Sequence, residues 1–483
     1  MKKHLFILFL FSLCLPLTAQ TDVGEAEYRQ SLTEPADTAA CYADSIGVLP
    51  IDTLPYPQNI CQRIDTLLAT ARLLNTSQLG LMVYDLTADS TIYAYNHRQT
   101  MRPASTMKLV TAIAAIDKLG GAYQLRTSLY YTGTIANRTL TGDLVCVGGM
   151  DPAFGRDDLA AFVESLQRQG VDTVRGNIVA DRSMKDDDLL GEGWCWDDDN
   201  PVLSPLLISQ KDNFTERLTQ ALRDEGVVVQ LSTNTSPLSP SAYRLPQNAT
   251  LVCTRTHTID QILTKMMKDS DNLYAESMFY QLAASEGSRP AKAGNARLMI
   301  QKLIQKVGLT PGDYKIADGS GLSLYNYLSP LLHVRLLRYA YRNPNVFEHL
   351  LPALPIAGED GTLKNRMKGT AAAGNVRAKT GTVTCVSCLA GYCTTDNGHD
   401  LCFAIMNQGV LQVSAARAFQ DDLCRALCAS SRATVAEVLK PVKPAVKAAP
   451  AKKTSKKAAK KAAKKAAKAK KASPKKKTTK KRR

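Results

Sequence analysis

A chain of 483 residues, 45% of them hydrophobic and 22% charged, has room for more than one domain around a sizeable core. Its formal net charge of +17 is concentrated at one end: 21 of the 61 Lys and Arg fall in residues 440–483, which hold no Asp or Glu, so the remainder carries 40 basic against 44 acidic residues. That acidic balance argues against a specific nucleic-acid binder, whose basic footprint lies on a folded face.

The chain opens with MKKHLFILFLFSLCLPLTAQ, a basic start, an apolar run over residues 5–17 and small residues ending at Ala19. This predicts a secretory signal over residues 1–19, too short for a stable membrane span, and an exported, periplasmic mature protein. Leu13 is bulky where lipidation of Cys14 would want a small residue. Residues 20–57 are polar and Pro-bearing without a period, and read as a linker. A helix in NICQRIDTLLATARLL and strands in QLGLMVYDLT and STIYAYN begin the first part of an α/β domain, residues 58–125. Its last element is RPASTMKLVTAIAAIDKLGG, in which Pro103 marks a helix start and Gly120 and Gly121 its end. Over residues 126–255 the texture changes to short strand-like runs such as TSLYYTGTI and DLVCVGG, broken by Gly, Asn and Asp, which predicts a largely β insertion.

Residues 256–430 return to the first domain. Amphipathic helices are expected in TIDQILTKMMK, NLYAESMFYQLAA and ARLMIQKLIQKVG, and strand-like runs in AAGNVRAKTGTVTCVSCLAGYC and DLCFAIMNQ. The closing helix SAARAFQDDLCRALCAS spaces Phe419, Leu423 and Leu427 along one face. The Lys/Ala/Pro composition of residues 431–483 cannot bury a core, so a disordered polybasic tail is expected there. In an exported protein such a tail meets anionic envelope surfaces before it meets DNA.

Of 12 cysteines, Cys14 would leave with the signal, and the odd remainder means that at least one thiol is unpaired or bonded outside the chain. The cluster Cys385, Cys388, Cys393 and Cys402 invites a zinc reading. However, TVTCVSCLAGYC alternates as a buried strand does, and a structural zinc site wants a second ligand pair at matching spacing. Core packing is expected, with no metal and no cofactor, while a disulfide among them stays open.

Chemistry concentrates in three short stretches. Ser105 and Lys108 stand three apart on an apolar helix, so both side chains share one face. A serine is a poor nucleophile without a base, and a lysine desolvated in such a helix is neutral often enough to serve. The pair alone is weak, since Ser473 and Lys476 repeat the spacing in the tail. Two companions add weight: Ser270, Asp271 and Asn272 at a turn between helices, and Lys379, Thr380 and Gly381 on a strand. A decoy at Ser232 and Asn234 lacks helical flanks.

S-x-x-K, S-D-N and K-T-G in this order resemble the penicillin-binding proteins and class A β-lactamases. The stretches GDLVCVGGMDP, GWCWDDDNPVLSPL, DGSGLSLYNYLSP and GEDGTLKNRMKGTAAAGNVRAKTGTV are similar to the D-alanyl-D-alanine carboxypeptidase/endopeptidases of the penicillin-binding protein 4 type, peptidase family S13. The resemblance runs over residues 58–430. It implies a transpeptidase-type domain, an antiparallel sheet flanked by helices, interrupted by the insertion. It also implies peptidoglycan stem peptides as substrates and β-lactams as covalent inhibitors.

The roles it implies are Ser105 as acylated nucleophile, Lys108 as its base, and Ser270 and Asn272 as proton relay and positioning groups, with Lys379 open to a share in the relay. The cationic Lys379 with Thr380 and Thr382, beside Gly381, would hold the terminal carboxylate, and the N–H groups of Ser105 and Thr382 would form the oxyanion hole. Asp198, in the run 197–199, is implied as the partner of a stem-peptide amine. Asp151 and residues 318–323 are expected to serve turns and packing. Which lysine acts as base in each step stays open. The alternatives are a non-catalytic penicillin sensor or envelope tether, and a β-lactamase, which is disfavoured because no E-x-x-L-N string occurs.

Overall fold

The computed structural model describes residues 54–196, 199–231 and 243–429. The expected signal, most of the linker and the polybasic tail lie outside these residues, as does Asp198.

In chain order, α1 (Gln58–Thr70), β1 (Gln78–Asp85), β2 (Ser90–Tyr95) and α2 (Met107–Leu119) come first. Then follow β3 (Gln124–Tyr131), β4 (Thr134–Ala136), β5 (Thr139–Thr141), β6 (Leu144–Val147), α3 (Arg156–Arg168), β7 (Thr173–Arg175) and β8 (Ile178–Asp181). After α4 (Phe214–Asp224), β9 (Val228–Gln230) and β10 (Thr250–Thr258), the chain turns helical with α5 (Ile259–Lys268), α6 (Asn272–Ala284), α7 (Ala293–Lys306), α8 (Pro330–Arg342) and α9 (Pro344–Ala353). It closes with β11 (Arg377–Val383), β12 (Val386–Thr394), β13 (Asp400–Gln408) and α10 (Val413–Cys428).

Both ends of the described chain build one sheet. Its order is β11-β12-β13-β1-β2, with every neighbouring pair antiparallel. In β12 and β13 nearly every position is buried, the mark of strands covered on both faces. One face packs on α1 and α10, where Ile60, Ile64, Leu423 and Leu427 meet Leu81, Phe403 and Ile405. The other packs on α2 and α8, through Val110, Ile113 and Leu337 against Ala390 and Ala404. The run AAGNVRAKTGTVTCVSCLAGYC resolves into the hairpin β11–β12, with Cys385 at φ 60° in its turn.

The cysteines divide among separate cores: Cys388 packs with Met101 and Val386, Cys393 with the α1–α10 side, and Cys402 with the α2–α8 side. They fill space as small apolar groups.

The insertion carries two four-stranded sheets, β10-β3-β6-β8 and β4-β5-β7-β9. It also holds α3 and α4, which the run-by-run strand reading did not separate. Leu159, Phe162, Val163 and Leu166 in α3, and Phe214, Leu218 and Leu222 in α4, have helical spacing and are buried together. Phe154, Phe162 and Phe214 form its aromatic centre, with ring centroids 5.1–6.3 Å apart.

Candidate active site

Ser105 lies in a 3-10 turn, Ala104–Thr106, that leads into α2. Ala104 has φ 46°, a left-handed conformation that bends the chain just before the serine. Two glycines make this bend possible. A Cβ on Gly321, itself at φ 80°, would sit 1.9 Å from the Ala104 carbonyl oxygen. A Cβ on Gly381 would lie 2.5 Å from the Pro103 carbonyl oxygen and 3.1 Å from the Ser105 nitrogen. The main chains of residues 318–323 and of the edge strand β11 therefore close on the serine from two sides.

Every position of α2 from Met107 to Ile116 is buried, which takes the Lys108 amine out of water. Lys108 Nζ reaches Ser105 Oγ at 3.0 Å, Asn272 Oδ1 at 2.7 Å and the Ser320 carbonyl oxygen at 2.8 Å. Burial lowers its pKa to about 8, against the opposing pull of Asp318, Glu276 and Asp271. Asn272 opens α6, whose cap is Asp271, accepting from the Tyr274 N–H at 3.3 Å. Ser270, at φ 63°, turns its hydroxyl toward β11, where Lys379 Nζ donates to Ser270 Oγ at 2.9 Å and to the Thr380 carbonyl at 2.8 Å. Lys379 is fully buried. Burial first, and the charge of Lys108 second, push its pKa well below the usual lysine range.

The structure thus gathers Ser105, Lys108, Ser270, Asn272 and Lys379 in one cleft. Thr380, half-buried, donates its hydroxyl to Thr362 Oγ1 at 2.8 Å, Gly381 faces the Ser105 backbone, and Thr382 is exposed at the strand's end. Asp198 lies outside the described residues, but the loop before it is pinned. Trp194 Nε1 donates to Asp318 at 2.8 Å, and Glu192 pairs with Arg297 at 2.6 Å and Lys315 at 3.1 Å.

Residues 318–323 form a turn, as expected, and also do more. Asp318 accepts from Gly321 N (2.8 Å), Ser323 N (2.7 Å) and Asn326 Nδ2 (2.7 Å), which fixes the loop so that the Ser320 carbonyl meets Lys108. Glu276, buried on α6, accepts from the Ser320 N–H at 2.8 Å and from Gly319. Its pKa is pushed up to about 8 by burial and the neighbouring Asp318. Sequence reasoning missed Glu276 and the Ser320 carbonyl. A glutamate within the apolar run of α6 was the one available signal. Asp151 accepts from Ala153 N at 3.0 Å and pairs with His257 Nδ1 at 2.7 Å, a turn and packing role.

A Ser–Lys pair at the start of a helix, facing a Ser–Asp–Asn turn and an edge-strand lysine, defines a fold of the penicillin-binding kind. Residues 60–207 and 207–429 match the D-Ala-D-Ala carboxypeptidase 3 (S13) family, and the chain belongs to it. It is 27% identical to D-alanyl-D-alanine carboxypeptidase DacB of Haemophilus influenzae, over 69% of this chain and 86% of that one. It is 29% identical to a D-alanyl-D-alanine carboxypeptidase of an Actinomadura species, over 68% and 77%. The crystal structure of penicillin binding protein 4 (dacB) from Haemophilus influenzae matches with a TM-score of 0.66 at 25% identity, over 77% of this chain and 98% of that one. The same protein complexed with a β-lactam matches at 0.62 and 25%, over 75% and 98%.

Proposed function

We propose that this chain is an exported serine D-Ala-D-Ala carboxypeptidase with D,D-endopeptidase capacity, acting on peptidoglycan stem peptides through an acyl-enzyme on Ser105. The observation that carries the reading is that each cleft serine has its own buried amine: Ser105 with Lys108 at 3.0 Å and Ser270 with Lys379 at 2.9 Å.

A neutral lysine amine has two N–H groups and one lone pair. Around Lys108, Asn272 Oδ1 and the Ser320 carbonyl are pure acceptors and take the two N–H groups, which leaves the lone pair for the Ser105 proton. With a pKa of about 8, roughly a tenth of Lys108 is in this form at pH 7. Ser105 Oγ attacks the carbonyl between the two D-alanines while its proton passes to Lys108. The developing oxyanion meets the Ser105 and Thr382 N–H groups, at the point where β11 comes closest to the serine. When the C–N bond breaks, Ser270 delivers a proton to the leaving amine and is resupplied from the lysines. Water then hydrolyses the ester, releasing the shortened peptide and restoring Ser105.

Penicillins acylate the same serine, in keeping with the β-lactam complex of the Haemophilus influenzae protein. Asp198 binds the free amine of the stem peptide's diamino acid, a role supported by the acidic run 197–199 and by the pinning of the loop before it. Export rests on the signal pattern of residues 1–19.

Mass analysis of purified muropeptides before and after digestion tests the whole reading. The expected outcome is loss of one terminal alanine, together with cutting of cross-linked dimers, and neither change with Ser105→Ala. An unchanged digest with the wild-type chain would overturn it.

A further inference from the structure

We infer that Arg417 is the residue that binds the terminal carboxylate of the peptide, an inference that rests on the peptidase reading above. Arg417 is exposed on α10, and its Nη2 donates to Thr382 Oγ1 at 3.3 Å, at the end of β11 nearest the cleft. Among the described residues no carboxylate pairs with it, whereas its neighbours Arg366 and Arg425 are tied to Asp421 and Asp422.

Its base is fixed. Arg366 donates to the Arg417 carbonyl at 3.2 Å while its Nε holds Asp421 at 2.8 Å. The guanidinium is therefore a cation presented from a braced main chain, and among the described residues Thr382 Oγ1 is the one acceptor that its five N–H donors meet.

The groups beside it are less suited to the task. Lys379 is fully buried, and two of its donor directions go to Ser270 and the Thr380 carbonyl. Its lowered pKa further reduces the positive charge it can offer a substrate. The Thr380 hydroxyl already donates to Thr362. Thr382 accepts from Arg417, so its own hydroxyl proton can point at an anion lying next to the guanidinium. A carboxylate placed there would receive N–H and O–H donors together, from a planar fork that matches its two oxygens and stays charged at every working pH.

The test compares two synthetic stem peptides, one ending in free D-Ala-D-Ala and the other in its carboxamide. Binding is measured by calorimetry on Ser105→Ala protein, with Arg417 intact or changed to Ala or Lys. The acid is expected to bind the Arg417 protein roughly 10- to 100-fold more tightly than the amide, the span of a charged, forked hydrogen-bond pair. Arg417→Ala abolishes that ratio while leaving amide affinity unchanged, and Arg417→Lys restores part of it. No acid preference with Arg417 present, or one that survives Arg417→Ala, overturns the inference. Binding needs no bond cleavage, so it is read separately from alanine release by the wild-type chain, whose absence would overturn the peptidase reading instead.

Discussion

Lys108 makes its surroundings readable as a proton acceptor. Its two carbonyl partners give nothing back, so only a neutral amine can also take a proton from Ser105. Because burial lowers its pKa to about 8, acylation by a penicillin is expected to rise as pH climbs from 6 through about 8 and then level off. Stopped-flow acylation rates across this range check it, and a flat profile would exclude Lys108 as the base. Asn272→Asp replaces a carbonyl acceptor with a carboxylate at the same 2.7 Å. An anion there favours the charged amine and moves the limb upward by about 1–3 pH units, so acylation at pH 7 falls roughly 10-fold or more. The five side chains of the cleft were legible in the sequence because hydroxyl, amine and amide chemistry carries its own letters at fixed spacings. The Ser320 carbonyl was not, because a backbone oxygen has no letter. Glu276 was hidden by lying in a helix whose residues after Asn272 read simply as core.

At the scale of elements, the site depends on two backbones pressed against the turn that carries Ser105. The Gly321 position allows no Cβ, since its φ of 80° is unfavourable to L side chains and the atom would overlap the Ala104 carbonyl. Gly321→Ala is therefore expected to cost roughly 2–4 kcal/mol of stability and to slow acylation by displacing Ala104 and with it Ser105. Gly294 in α7 has open space around it and no positive φ. There, Gly294→Ala should leave acylation unchanged and gain roughly 0.4–1 kcal/mol. Thermal unfolding alongside penicillin labelling compares the two, and equal behaviour would count against the close-approach account. Sequence periodicity identified α1, α5, α6, α7 and α10, and the strand-rich character of the insertion. Alternation alone did not divide the long run ending at Cys393, because β12 is buried on both faces and shows no polar side. The helices α3 and α4 had the right apolar spacing but lay within the insertion, whose Gly, Asn and Asp breaks led it to be read as strand-like runs. The helices α8 and α9, both with Pro in the first turn, were not singled out.

For the whole molecule the decisive asymmetry is electrostatic. Residues 440–483 hold 21 Lys and Arg and no acid, and the rest of the chain is slightly acidic, so attraction to an anionic surface is expected from this end. Polybasic segments gain about 1 kcal/mol per Lys or Arg held near an anionic lipid surface, an attraction confined to about 10 Å at 0.1 M salt. The enzyme is therefore expected to sediment with vesicles rich in anionic lipid at low salt, to be released at about 0.5 M salt, and to ignore neutral vesicles. A chain ending at residue 430 should stay in the supernatant throughout while releasing D-alanine from a soluble peptide at the full-length rate. Cosedimentation of that shortened chain would place the contact on the folded part. Full-length protein that bound neutral and anionic vesicles alike would show that charge is not what holds it there.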